Sequence, residues 1–196
     1  MGKNKFIILS VIGLILIFIG TLSLYLKNNI ERKKEVKKEK SVNNFIINQN
    51  NERINDDEPK ELDVYDYIGV IEIPILDLKR GFVEKESQYN DVKYNVEVLD
   101  ESDMPDVENG NLILAAHSGN TAVSYFKDLN KLSLNDEVYI YYNNHKYIYK
   151  VMNKYQIEKT GFANIVRKNK STLTLITCIS RTNYQLVVIC ELENIN

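Results

Sequence analysis

Apolar residues follow two rhythms along this chain, and the change between them divides it. Phe6 to Leu26 is an uninterrupted uncharged run of 21 residues rich in Ile, Leu and Phe. Such a run is long enough to cross a hydrocarbon core of about 30 Å as a helix. It exceeds the ~7–15-residue apolar core of a cleaved signal peptide, and no small-x-small pattern closes it, so it reads as an uncleaved anchor. Ile30 to Lys40 alternates Glu with Lys, the pattern of a solvated helical extension. Ser41 to Glu61, rich in Asn and acids, reads as a flexible stalk. The expected organisation is an anchor at 1–26, a charged helix and stalk at 27–61, and a folded domain at 62–196.

Beyond Leu62 the rhythm shortens to alternation. Tyr67 to Pro74 reads as a strand that breaks at the proline, and Ile75 to Val83 as its antiparallel neighbour. Ser87 to Asn95 has room for one or two helical turns. Asn111 to His117 has a buried-strand pattern that ends in a histidine, and Ser118-Gly119-Asn120 supplies a turn. Val123, Phe126, Leu129 and Leu132 recur at helical spacing, which predicts a short helix over Thr121 to Lys131 with Thr121 as its cap. Val138, Ile140 and Tyr142 alternate with Tyr139 and Tyr141, and Asn143-Asn144 turns the chain into a strand over Lys146 to Ile157. After a basic loop, Gly161 to Lys170, the run Thr172 to Cys178 is rich in β-branched residues and delivers a cysteine at its end. A short polar turn leads to a last strand, Gln185 to Glu191. Short strands, few helices and antiparallel neighbours throughout predict an all-β domain, a small closed or nearly closed barrel, with an open sandwich as the alternative.

Charge changes the picture in one respect. Residues 1–61 carry 11 Lys/Arg against 8 Asp/Glu and residues 62–196 carry 14 against 19, giving +3 and −5. A mildly acidic folded part argues against a nucleic-acid footprint. With only two cysteines and two histidines in the chain, a zinc site, which needs three or four ligands brought together, is implausible. In a hairpin through Ser180 to Tyr184, Cys190 falls about five residues below Cys178, roughly 15 Å at strand rise and beyond disulfide reach. Both thiols are therefore expected free. Six acids between Glu97 and Glu108 read most simply as a solvated loop; they are also the one candidate for calcium, although their spacing fits no calcium-loop signature.

A cysteine attacks as its thiolate, so it needs a base or a positive neighbour. His117 is the candidate: it ends one strand, Cys178 ends another, and both fit on one barrel rim. His145 falls in a turn and reads as exposed. From spacing alone the pair is a productive dyad or a structural thiol near an unrelated histidine.

Thr174-Leu175-Ile176-Thr177-Cys178 resembles the TLxTC strand of the sortases, membrane-anchored cysteine transpeptidases of Gram-positive bacteria. Ala115-Ala116-His117 is similar to the family's histidine landmark, with Ala in place of the usual Gly. Ile68 to Pro74, Phe126 to Leu132 and Asn135 to Val138 add to the likeness, which covers about residues 66–192 together with the anchor. The resemblance implies an eight-stranded barrel with one or two short helices. It also implies Cys178 as nucleophile, His117 as proton carrier and an arginine for substrate backbone and oxyanion. The family's arginine place holds Gln185 here; Arg181 is the candidate for that role and Arg167 a weaker one. The implied reaction cleaves an LPxTG-like sorting signal after Thr through a Cys178 thioester and transfers the protein to a cell-wall precursor or pilin amine, with no cofactor. The short Lys159 to Ser171 segment, the end at Asn196 without a second span and the lack of an aromatic lid motif suggest a compact A- or D-like member. The alternatives are a hydrolytic cysteine peptidase with the same dyad and a non-catalytic anchored barrel. The implied location is the cell membrane, single-pass, with the domain outside; the excess of Lys and Arg after the span (Lys27 to Lys40) over Lys3 and Lys5 argues the other way by charge count.

Overall fold

A computed structural model describes residues 3–50, 65–160 and 169–196. The first element is a single helix, α1 (Lys3–Asn50). It contains a stretch long and apolar enough to cross a membrane, with none of that stretch buried in protein. The helix runs ten residues past the Ile30 to Lys40 extension, through Ser41 to Asn50, where a flexible stalk is the sequence expectation. Val42 and Ile46 explain the difference. They lie on one helix face at i, i+4 spacing and are buried with Tyr67, Val70 and Val83 of the folded domain, so tertiary packing holds a segment of poor intrinsic signal. The rest of the expected stalk, 51–61, lies outside the described residues.

Eight strands follow: β1 (Gly69–Ile73), β2 (Leu78–Phe82), β3 (Glu97–Val98), β4 (Asn111–Ala115), β5 (Glu137–Tyr142), β6 (His145–Glu158), β7 (Thr172–Cys178) and β8 (Tyr184–Ile195). They form one sheet in the order β2-β1-β5-β6-β8-β7-β4-β3. A bridge between Phe82 and Val96 brings its two ends together, so the sheet is a nearly closed barrel. Ile71 and Ile73 of β1, Leu112 and Leu114 of β4, Leu173 and Leu175 of β7, and Val188 and Cys190 of β8 fill its interior at 0–1% exposure. The neighbouring positions face outward, the two-residue period that the sequence pattern carries. Asn143 and Asn144 have φ of 47° and 60°, the left-handed pair that a two-residue β5–β6 hairpin requires.

Four local expectations change. Glu97 and Val98, within the segment read as a loop, form β3 against Ala115 and Leu114. The segments Ser87–Asn95 and Thr121–Asp128 are successive turns instead of helices, with 3₁₀ geometry only at Leu129–Lys131 and, after β1, at Pro74–Leu76. Thr121 is not a helix cap: its N–H donates to the Ser124 hydroxyl at 3.1 Å. Lastly, the β4–β7 pairing is parallel, against the expectation of antiparallel neighbours throughout.

Candidate active site

The parallel pairing positions the site. Asn111 lies beside Thr172 and Ala115 beside Ile176, a constant offset of 61 residues. The same offset separates His117 from Cys178. β4 ends at Ala115, and the same register carried on two residues would bring His117 level with Cys178. An antiparallel pair would have sent these two strand ends to opposite rims.

Three hydrogen bonds lock this end of the ladder. Ala116 N–H donates to Ile176 O at 3.3 Å. The Thr177 hydroxyl donates to Ala116 O at 2.7 Å, and the Ser118 hydroxyl donates to the Cys178 carbonyl. Each residue of the pair is thus flanked by a hydroxyl that reaches across to the other strand. Lower on β7, the Thr174 hydroxyl donates to Asn111 Oδ1 at 3.0 Å in a buried contact. Local pattern places Ser118 in a turn and Thr174 and Thr177 in the motif strand, but does not reveal these cross-strand bonds. The available signal is a hydroxyl residue directly beside each of the two candidates, Ser118 after His117 and Thr177 before Cys178.

Strand alternation puts Cys178 on the face opposite Leu173, Leu175 and Thr177, so it turns away from the barrel interior. Cys178 is half-buried and His117 exposed. The loop after His117 is closed by a Phe126 N–H to His117 O bond of 3.0 Å. Asp91 is within electrostatic reach of His117. Its carboxyl is held below the ordinary carboxylate range chiefly by hydrogen bonds from Lys93, with a smaller contribution from the charge of His117. Cys190 contrasts with this setting: it is fully buried in the core, where desolvation pushes its thiol well up. Both thiols are free.

Arg181 is exposed, three residues past Cys178 in the β7–β8 turn, with a left-handed φ of 62°. That region is costly for a residue with a Cβ, and such outliers concentrate where a turn or a site demands them. Gln185 is the direct cross-strand partner of Cys178 and is half-buried. Ile179 N–H donates to Tyr184 O at 2.9 Å in the adjacent row. Cys178 and Gln185 then form a non-hydrogen-bonded pair, the type in which side chains approach more closely. Arg167 lies outside the described residues, as does most of the Gly161 to Lys170 loop.

His145 is exposed, with Nδ1 2.7 Å from the Asn143 carbonyl, and takes no part in the rim. Carboxylates of the acid-rich segment serve the backbone and a neighbouring turn. Glu97 accepts from Val92 N–H, Asp103 from Asn111 N–H and Asp106 from the Asn143 amide. Among the described residues no group of three or more His, Cys, Asp or Glu is arranged to hold a metal ion.

Comparison with known proteins places this geometry in context. A family profile described as a sortase domain matches residues 71–193, well over half of the chain. Sortase A of Bacillus anthracis is 28% identical over 119 residues, 61% of this chain and 55% of that protein, so the match spans little more than half the relative's length. Sortase A from Corynebacterium diphtheriae superposes with a TM-score of 0.57 at 20% identity, over 65% of this chain and 61% of that one. The Group B Streptococcus pilus island 1 sortase C2 gives 0.60 at 23% identity, over 68% and 77%. At these identities the structural likeness is one of fold.

Proposed function

The chain belongs to the sortase family, and from that premise we propose that it is a cysteine transpeptidase acting on peptide sorting signals. One observation carries the reading: the 61-residue offset of the parallel β4–β7 register, which is also the spacing of His117 and Cys178.

The Cys178 thiolate attacks the carbonyl after Thr in an LPxTG-like signal. The C–N bond breaks, a thioester forms, and His117 gives the leaving amine its proton. His117 then takes a proton from the incoming amine, a cell-wall precursor or a pilin lysine, as that amine displaces the thiol. A thioester keeps much of the free energy of the cleaved amide, so an amine can capture it before water does. Arg181 steadies the substrate backbone and the developing oxyanion. No cofactor takes part. The apolar stretch of α1 anchors the enzyme, with the domain on the outer face where sorting signals and wall amines meet.

The test is to incubate the full chain in detergent with a panel of sorting-signal peptides, with and without an added amine, and weigh the products. Ligated peptide that appears only with the amine supports transpeptidation. Free acid as the sole product, unaffected by amine, would identify the hydrolytic peptidase, and no cleavage of any peptide the non-catalytic barrel.

A further inference from the structure

Lys38 lies in a run of alternating Glu and Lys, yet its side chain is 6% exposed. Its ammonium donates at 2.8 Å to the Tyr94 carbonyl and at 2.8 Å to the Tyr125 hydroxyl. It also sits 5.3 Å from the Tyr65 ring centroid and 5.5 Å from that of Tyr125, while the Arg80 guanidinium covers Tyr125 at 5.0 Å. A lysine that exchanges water for two hydrogen bonds and aromatic faces is held in one place, because giving up either partner would leave a buried charge undersatisfied.

What Lys38 holds together are the 91–94 turn and the loop that follows His117. Tyr94 ends the turn that begins at Asp91, whose carbonyl accepts its N–H at 2.8 Å, and the Asp91 carboxyl is within electrostatic reach of His117. Tyr125 precedes Phe126, whose N–H closes the loop onto the His117 carbonyl. The Tyr125 hydroxyl also lies 3.4 Å from the Tyr94 carbonyl. One ammonium therefore joins the 91–94 turn to the base of the His117 loop. Four and eight residues on, Val42 and Ile46 seat the same helix face in an apolar cluster with Tyr67, Val70 and Val83.

We infer that the segment of α1 from Lys38 to Ile46 belongs functionally to the catalytic domain, with Lys38 as a positioning residue that braces the His117 loop through Tyr94 and Tyr125. The inference rests on the reading of His117 as proton carrier. The stretch that resembles a stalk is then part of the enzyme, and a soluble fragment starting at Leu62 loses the brace.

The experiment is amide hydrogen exchange on the full chain in detergent micelles, comparing wild type with Lys38→Met, Lys38→Arg and Tyr125→Phe. Loss of a hydrogen bond to a buried charge should speed exchange at the Phe126 amide roughly ten- to hundredfold in Lys38→Met. The β7 and β8 amides should keep their rates, Lys38→Arg should stay near wild type, and Tyr125→Phe should show a smaller, equally local rise. In transpeptidation, kcat should fall with KM unchanged, because Lys38 touches the loop and not the substrate. Unchanged Phe126 exchange in Lys38→Met overturns the inference, as does a rise shared equally by β7 and β8 or a local rise that leaves kcat intact. If Lys38→Met does not fold, Tyr125→Phe decides: no local change there overturns it. A wild-type chain that transfers no peptide counts against the proposed function alone, and the exchange rates still test the brace.

Discussion

Cys178 and Cys190 lie on adjacent strands twelve residues apart, and the same thiol sits in two different surroundings. Cys190 is sealed in the barrel between Leu173 and Val151, with its thiol pushed well up by desolvation. Cys178 ends β7 on the outward face, half-buried, paired with Gln185 on β8 and two residues past the last β4–β7 pair, Ala115 with Ile176. The lesson is that strand parity and distance from the strand end, more than the residue itself, divide a sealed thiol from one open to a rim.

The contrast breaks most visibly by exchanging each cysteine in turn. Cys178→Ala is expected to cut peptide transfer by roughly 10⁴-fold or more, since the reaction loses its nucleophile. Cys190→Ala should leave the rate per folded molecule unchanged and lower only the melting temperature, through the small cavity it opens. Rate assays paired with thermal melts check both.

The rim half of the contrast depends on the hydroxyl ties. Thr177→Val keeps the shape but leaves the buried Ala116 carbonyl without its 2.7 Å donor. It should cost about 1–3 kcal/mol in denaturant unfolding. Thr177→Ser should recover most of that loss.

The core half can be tested by pH. Burial raises Cys190 above its ordinary 9.0, and Tyr149, also buried, above 10.0. A raised folded-state pKa means the folded state holds its proton longer. The associated stability is full below pH 9 and is lost as pH rises past 9 for the thiol and past 10 for the phenol. Each group should contribute a slope of up to about 1.4 kcal/mol per pH unit. Urea unfolding at successive pH values measures it, and Cys190→Ala should remove the part that begins at pH 9.

The smallest expected effect is that of a chelator. Glu97, Asp103 and Asp106 are occupied with amide donors, so adding EDTA should leave both transfer rate and melting temperature unchanged. Calcium-restored activity would return the acid-rich segment to consideration.

Much of this arrangement is legible in the chain. Thr172 to Cys178 announces a strand by its β-branched run, and Asn111 to His117 by its apolar one; the structure begins β7 and β4 where the pattern does and ends β4 two residues early, at Ala115. What local pattern does not carry is their mutual register. The parallel offset of 61 is a long-range fact, set when both strands bury one face in the same core. The Thr121–Lys131 segment fails differently. Phe126, Leu129 and Leu132 are buried as their spacing predicts, but Ser124 and Thr121 bond each other's backbone and side chain and close a turn in place of a helix. Lys38 was invisible for a third reason: among seven Lys and Arg between Lys27 and Lys40, only the fold determines which is buried. Gln185 departs from the family pattern in sequence, and only the register puts it directly opposite Cys178.

The most direct test is to trap the reaction before an amine arrives and find which residue carries the substrate. Full-length protein is mixed with a sorting-signal peptide in the absence of amine, quenched in acid, digested and examined by mass spectrometry. The account predicts an acyl group on the peptide containing Cys178, discharged by added amine and absent from Cys178→Ala. An acyl group on Cys190, or one that persists in Cys178→Ala, would contradict it.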